Sequence, residues 1–245
     1  MLSACGEIVR TGDPDRFRTA LFARPEAREH LFALYAFNLE IAKIAPMVSE
    51  PMLGEIRLQW WREALDQIYS DGPVRAHEVT TPLAEAARSM SLPRLPFDAL
   101  IDARASDLDL AFPENDAMLH GYIADTAGGL TGLAARALVP DMSAQGIEAA
   151  TDAGFAIGAS RFLMAMPQLV AAGRKPLPME SVDALAAEGR ARLAKAHAAR
   201  SAVPKAAAPA LLEARLAAHN LTSSTARSAF RERISVLWGG LRGRW

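Results

Sequence analysis

Leu34-Tyr35-Ala36-Phe37-Asn38-Leu39-Glu40-Ile41-Ala42-Lys43 is the stretch on which the reading of this chain turns. Extended by Leu31 before it and Ala45 after it, the run sets Leu31, Leu34, Tyr35, Asn38, Ile41 and Ala45 at i, i+3, i+4, i+7 spacing, which places them on one face of an α-helix. Pro25 opens this helix, where the absent N–H is not missed, and Pro46 closes it, because a later proline has no donor to give. The expected helix spans 25–46 and buries that stripe.

The same punctuation recurs on both sides. Asp13-Pro14 reads as a cap and first helical position for a helix over 14–23. A third helix over 53–69 carries Ile56, Leu58, Trp60, Trp61, Leu65 and Ile68, with Asp71-Gly72-Pro73 as its stop. Its apolar groups lie most of the way round, which predicts a central position. Further helices are expected over 82–90, 96–111, 115–138, 144–171, 179–200 and 209–219, with a last one near the C-terminus. Alanine is abundant and β-branched runs are few, so helix is favoured nearly throughout. Ser201 to Pro209 reads as a loop, since the chain beyond Pro209 is too short to build a core of its own. No repeat of solenoid length is present. The fold class predicted is all-α, one single-domain helical bundle over 1–245.

Composition narrows the function. With 245 residues and 51% apolar content, one large core is expected without stapling. Lys and Arg number 27 against 28 Asp and Glu, so no general attraction to nucleic acid or anionic lipid arises. Cys5 is the only cysteine and sits near a chain end expected to be loosely held; no intrachain disulfide or cysteine-based zinc site can form, and a reducing cytoplasmic compartment fits. Residues 1–11 lack the pattern of an export signal, and no segment approaches about 18 uninterrupted apolar residues, so neither export nor a membrane span is expected.

The opening helix and the subsequent Trp60-Trp61-Arg62 resemble the first Asp-rich helix and the Trp-Arg helix of squalene and phytoene synthases. Two more stretches extend the likeness in the right order. Tyr122-Ile-Ala-Asp-Thr-Ala127-Gly128-Gly129-Leu-Thr-Gly132 is similar to the family's Tyr-…-Ala-Gly-x-x-Gly helix, and Gly173-Arg174-Lys175-Pro176-Leu177-Pro178 to its Gly-Arg-x-Tyr-Leu-Pro. The resemblance covers roughly 15 to 235 and implies an isoprenoid-synthase bundle. Family enzymes join two isoprenyl diphosphates head to head, with two sets of aspartates holding Mg²⁺ against the leaving diphosphate.

Those aspartates are missing here. The positions matching the family's first motif are Leu39, Ala42, Lys43 and Pro46. Lys43 would set a positive charge where the metal sits. The second motif is matched by 161–172, from Arg161 through Pro167 and Gln168, which contains no carboxylate, and Pro167 is expected to bend or end its helix. The pattern resembles a degenerate branch of the family that contains a mitochondrial complex I assembly factor. It implies a non-catalytic scaffold with a respiratory-complex subunit as partner and no cofactor.

The vestigial cavity is expected to involve Tyr35, Leu39, Ala42, Lys43, Tyr122, Asp125, Arg161, Gln168 and Arg174. Asp125 paired with Lys43 or Arg161 would form a structural plug across it. Glu40, Glu50 and Glu55 read as solvated or salt-bridged rather than as replacement ligands. Asp102, Asp107 and Asp109 read as surface partners of groups such as Arg104. Gly128, Gly129 and Gly132 read as close helix packing, not as a phosphate loop. The five histidines form no ligand pair.

Two alternatives stay open. One is a prenyltransferase with an altered site, in which Lys43, Arg161 and Arg174 hold diphosphate directly, Mg²⁺ entering only in that case. The other is an isoprenoid- or quinone-binding module that keeps an apolar tunnel, whereas an assembly factor could fill the tunnel with side chains. The run Arg227, Phe230, Arg231, Arg233, Val236, Leu237, Trp238, Leu241, Arg242, Arg244 and Trp245 mixes basic and apolar groups as a peripheral inner-membrane contact would.

Overall fold

The computed structural model describes residues 2–70, 72–222 and 229–245, and no strand occurs among them. The chain is an all-α bundle whose helices are α1 (Ala4–Gly12), α2 (Pro14–Ala20), α3 (Pro25–Ala42), α4 (Ile44–Met47), α5 (Pro51–Ile68), α6 (Thr80–Ser89), α7 (Leu95–Ala105), α8 (Asp116–Ile123), α9 (Gly129–Leu138), α10 (Ala144–Ala171), α11 (Met179–Ala198), α12 (Ala208–Leu211), α13 (Ala214–Asn220) and α14 (Ala229–Arg242). Of the basic and apolar C-terminal run, Arg227 and the side chains of Phe230, Arg231 and Arg233 lie outside the described residues, as does Asp71.

Two helices make the centre. On α3 the expected stripe of Leu31, Leu34, Tyr35, Asn38 and Ile41 is buried, and so are Phe32, Ala33, Ala36 and Phe37 between them. Phe37 packs edge-on against Trp61 at 5.3 Å and Phe97 at 5.6 Å between ring centroids. The long α10 buries the alanines, glycines and single aromatic of its first half, from Gly146 to Ser160. Its Ala- and Gly-rich face lets neighbours approach closely. Gly128 and Gly132 face Thr151, where an added Cβ would come within 3.3 and 2.9 Å, the close packing expected of them, whereas at Gly129 the nearest atom would lie at 3.9 Å, an ordinary contact. By length and composition α10 could also cross a membrane, and it is the one such helix among the described residues.

Ser143 caps α10 by accepting a hydrogen bond from the Gly146 N–H at 3.1 Å. Ser143→Ala removes that acceptor and is expected to cost about 1 kcal/mol in urea denaturation, with the slope of the transition unchanged.

Several boundaries differ from the sequence reading, each for a physical reason. The helix expected over 25–46 breaks after Ala42, because Pro46 has no N–H to give to the Ala42 carbonyl, and the chain restarts as α4. The expected looseness of the chain end around Cys5 is not found over residues 2–11. Ser3 caps α1, whose small face of Cys5, Gly6 and Val9 seats it on α3. Cys5 is therefore buried, and burial pushes its thiol up to about 12, an inert group at neutral pH. Nor is α5 central. It buries Gly54, Leu58, Trp61, Ala64, Leu65 and Ile68 on one side and exposes Met52, Leu53 and Ile56 on the other. The stretch 201–209 is a packed connection with 3₁₀ turns over Arg200–Ala202 and Lys205–Ala207.

Pro167 does not end α10, which runs on to Ala171. The helix stops where Gly173, at φ +92°, adopts the left-handed conformation that closes a Schellman turn. Its N–H bonds the Val170 carbonyl, and the Arg174 N–H bonds that of Leu169, both at 3.0 Å. This reversal throws Arg174 back toward the body of the bundle.

Candidate functional site

The C-terminal parts of α3 and α10, the start of α2, the end of α7 and the α8–α9 junction enclose a cavity of about 1010 Å³. Its long walls are apolar, from Leu39, Ala42, Ala45 and Pro46 on one side to Phe162, Met164, Ala165 and Leu169 on the other. Ile123 and Ala127 contribute from the junction, where the chain takes a π-helical turn over Ala124–Gly128. The tunnel is not filled by side chains.

One group of charges gathers where the starts of α2 and α13 meet α10. Asp13 accepts from the Arg16 N–H at 3.0 Å, which caps α2 as expected. It also receives both terminal nitrogens of Arg161, at 2.6 and 3.0 Å, in a forked arrangement. Arg161 donates its Nε and a terminal nitrogen to Glu213, at 2.9 and 2.6 Å. Arg16 adds a bond to Asp13 at 3.2 Å and lies 5.4 Å from the Tyr35 ring centre. Burial alone would raise the Asp13 carboxyl, yet Arg16 and Arg161 outweigh it and hold the group well below the usual carboxylate range. At Glu213 the balance is reversed: burial pushes the carboxyl up by more than Arg161 pulls it down. Burial likewise raises the Tyr35 hydroxyl, keeping it neutral.

A second group comes from α7, the 3₁₀ turn Ser106–Leu108, α8 and Arg174. Arg104 donates to Asp107 at 3.0 Å and to the Tyr122 hydroxyl at 2.6 Å, and that hydroxyl donates to Asp107 at 3.0 Å. Arg174 donates to the backbone carbonyls of Asp107, Asp109 and Phe112 at 3.1 to 3.2 Å, and reaches the Asp107 carboxylate at 3.5 Å. Burial pushes the Tyr122 hydroxyl up as well.

Of the positions read from the sequence, Leu39, Ala42, Tyr122, Arg161, Gln168 and Arg174 line this cavity. Tyr35 sits behind the wall, under Arg16. Lys43 and Asp125 lie apart from it. Lys43 is exposed and pairs with Glu40, and it is not among the residues that line the cavity. Asp125 is exposed on the π turn, and the plug is built instead from Asp13, Arg161 and Glu213. The surface-pair reading holds for Asp102, which bonds Arg62 at 2.8 Å, whereas Asp107 turns inward. Sequence reasoning missed Arg16, Arg104, Asp107 and Glu213 as site residues, and took Asp13 only as a cap.

Mg²⁺, which a synthase of this fold would use, does not fit these donors. The cavity's carboxylates are Asp13, Asp15, Asp107 and Glu213. Asp13, Asp107 and Glu213 are engaged by arginines, and Asp15 is exposed and paired with Arg18. No group of three or more His, Cys, Asp or Glu side chains is placed to share a cation among the described residues.

The chain is similar in fold to a dehydrosqualene synthase solved with a ligand, with a TM-score of 0.78 and 14% identity over 96% of this chain and 93% of that one. A squalene synthase from Alicyclobacillus acidocaldarius superposes with a TM-score of 0.73 and 16% identity over 94% of this chain and 92% of that one. In sequence it is 34% identical over 177 residues to complex I assembly factor 6 of Bos taurus and 30% identical over 177 residues to that of Homo sapiens. Each alignment covers 72% of this chain and 52% of the relative, so the chain spans about half the length of these relatives. The sequence model of squalene/phytoene synthase matches residues 9–236, and the chain belongs to the squalene/phytoene synthase family.

Proposed function

We propose that this protein is a non-catalytic member of its family that acts as an assembly or binding factor for respiratory complex I, as the name of its assembly-factor relatives suggests. The observation that carries the reading is the state of the cavity. Where a diphosphate-ionising enzyme needs free carboxylates around Mg²⁺, this chain presents Leu39, Ala42, Pro46, Ala165 and Gln168, and the carboxylates it has are neutralised by arginine. Without a cation the charge of a leaving diphosphate has no adequate counterpart. The partner is a respiratory-complex subunit, met at the inner membrane. In support of peripheral contact there, Leu237, Trp238 and Leu241 of α14 are exposed beside Arg242, whose guanidinium lies 4.8 Å from the Trp238 ring, while Trp245 is buried against His197 and Arg200.

Two measurements test this. Purified protein incubated with farnesyl or geranylgeranyl diphosphate, with and without Mg²⁺, is expected to release no pyrophosphate; metal-dependent turnover would overturn the non-catalytic reading. Loss of the protein from its own cells is expected to lower assembled complex I and its NADH oxidation while leaving the other respiratory complexes intact. Unchanged complex I would overturn the assembly role.

A further inference from the structure

The cavity is large, about 1010 Å³, and its charged groups are unevenly placed. Its charged lining consists of Arg16, Arg104, Arg161 and Arg174 against Asp13, Asp15, Asp107 and Glu213, which balances to zero over the whole surface. The balance is uneven between the two groups. Around Asp13 two arginines accompany three carboxylates, whereas around Tyr122 Arg104 and Arg174 face Asp107 alone, one positive charge in excess. Arg104 Nε is buried there and finds no acceptor among the described residues. Away from these groups the walls are largely aliphatic and aromatic, and the cavity stands at the top of the roughly 300–1,000 Å³ range that holds small organic ligands. Exposed apolar side chains adjoin it: Leu110 and Met164 are lining residues that are exposed, and Met47, also exposed, is next in sequence to lining residue Val48.

We infer that the cavity binds a long-chain amphiphile with a singly charged anionic head, the head seated on Arg104 with Tyr122 and Arg174 beside it and the chain lying along Leu39, Ala165 and Leu169. A diphosphate head carries more negative charge than the single excess positive charge in this group can match. A cationic head would meet Arg104 and Arg174 here, and in the other group Asp13 and Glu213 are both engaged by Arg161 while Asp15 pairs with Arg18 outside the lining. An apolar chain gains from burial in proportion to its length, so lengthening a ligand by one methylene tightens it by about fourfold until the cavity is filled. The inference rests on the cavity alone and is independent of the assembly role.

The test is a binding titration of the purified protein with oleate, decanoate, oleyl alcohol and farnesyl diphosphate, read by calorimetry. Oleate is expected to bind tightest, with decanoate weaker by more than tenfold and farnesyl diphosphate weaker than oleate whether or not Mg²⁺ is added. Two substitutions of opposite sign separate a binding role from a merely structural one. Arg104→Gln removes the excess charge and should weaken oleate at least tenfold, with little effect on oleyl alcohol; Asp107→Asn adds to the excess and should tighten oleate. Ala165→Trp, on the cavity side of α10, should abolish binding of both while the protein still melts cooperatively. Extraction of lipid from phosphatidylglycerol vesicles in place of oleate, with the same two signs, would support the site and assign the head as the phosphodiester of a bilayer lipid rather than a free carboxylate. Binding of neither would overturn the inference, as would Arg104→Gln and Asp107→Asn moving oleate affinity in the same direction.

Discussion

Arg161→Leu is expected to destabilise the protein by about 3 kcal/mol, a large fraction of the roughly 5–15 kcal/mol that holds a typical domain folded. The substitution itself removes a side chain that could be replaced by an apolar one with little loss of packing. The difficulty lies in the groups left behind: Asp13 and Glu213, each with a side chain only 8% exposed, face each other with their shared counter-charge gone. Arg161 keeps 36% of its side-chain surface open to the cavity, so water reaches the site and the lower end of the about 3–5 kcal/mol for breaking a buried pair applies. Removing both partners should be milder than removing one. Arg161→Leu combined with Glu213→Leu takes out the stranded charge, Asp13 stays with Arg16, and the double variant should recover stability relative to Arg161→Leu alone in urea denaturation.

The pH dependence of that deficit has a definite sign. In the wild type the Asp13 carboxyl lies below its ordinary value of 3.8, so its contribution to stability is present above that pH and is lost as pH falls through the lower, folded value. Glu213 lies above its ordinary 4.5; its contribution is full below 4.5 and is lost as pH rises through the raised value. Without Arg161 both carboxyls move up. Each then favours the protonated form, which needs no counter-charge, so the deficit of the variant should be greatest near neutral pH and shrink on acidification toward the ordinary carboxylate range. A deficit that grew on acidification would show that the arginine acts through packing and not through charge.

The legible and illegible parts of this chain differ in how local their signals are. Prolines and capping groups at Asp13-Pro14, Pro25, Asn115 and Ser143 mark helix starts within a few residues of where the backbone begins to turn, because one side chain or ring decides them. The run from Leu31 to Ile41 marks the central helix because a buried helix needs apolar groups all along it. By contrast α1, seated on α3 by Cys5, Gly6 and Val9 and fitting closely under Phe32, does carry a one-sided apolar pattern; what hid it is its place at a chain end expected to be loosely held. The cavity's charge pairs were the least legible. Asp13 and Arg161 are 148 residues apart, and each has an adequate local reading, the one as a helix cap and the other as a remnant of a lost motif. Asp107 reads as a surface partner on a helix bearing Arg104; it does pair with Arg104, but the helix gives way to a 3₁₀ turn at Ser106–Leu108 and the pair lines the cavity. Loss of the metal ligands was visible because it needs only the identities of Leu39, Ala42 and Pro46. The groups that replaced them depended on tertiary approach.

Gly158→Ala carries the second large effect, and it tests whether the floor of the cavity is set by contact between α10 and the π turn. A Cβ at Gly158 would lie 2.4 Å from Ala127 Cβ and 3.0 Å from Ile123 Cγ2. Neither can swing aside, since one is a methyl fixed to the backbone and the other belongs to a buried β-branched side chain. In an exposed helix the same substitution would gain roughly 0.5–1 kcal/mol from backbone entropy. Here overpacking should outweigh that gain and leave the variant less stable by about 2 kcal/mol. Because the nearer obstacle is a single methyl, it can be moved across the interface: Gly158→Ala with Ala127→Gly exchanges the two residues, removes the 2.4 Å contact while leaving the tighter-than-usual 3.0 Å approach to Ile123 Cγ2, and keeps the number of glycines constant. The exchanged protein should return to within about 1 kcal/mol of wild type, a coupling of at least about 1 kcal/mol in the double-mutant cycle. Gly158, Ala127 and Ile123 all line the cavity, so the single variant should also shift the π turn and, one residue before Ile123, the Tyr122 hydroxyl that holds Arg104 and Asp107 together. Oleate affinity would then fall in Gly158→Ala and recover in the exchange. Loss of stability without coupling would mean that the two helices separate freely and that the cavity floor is set elsewhere.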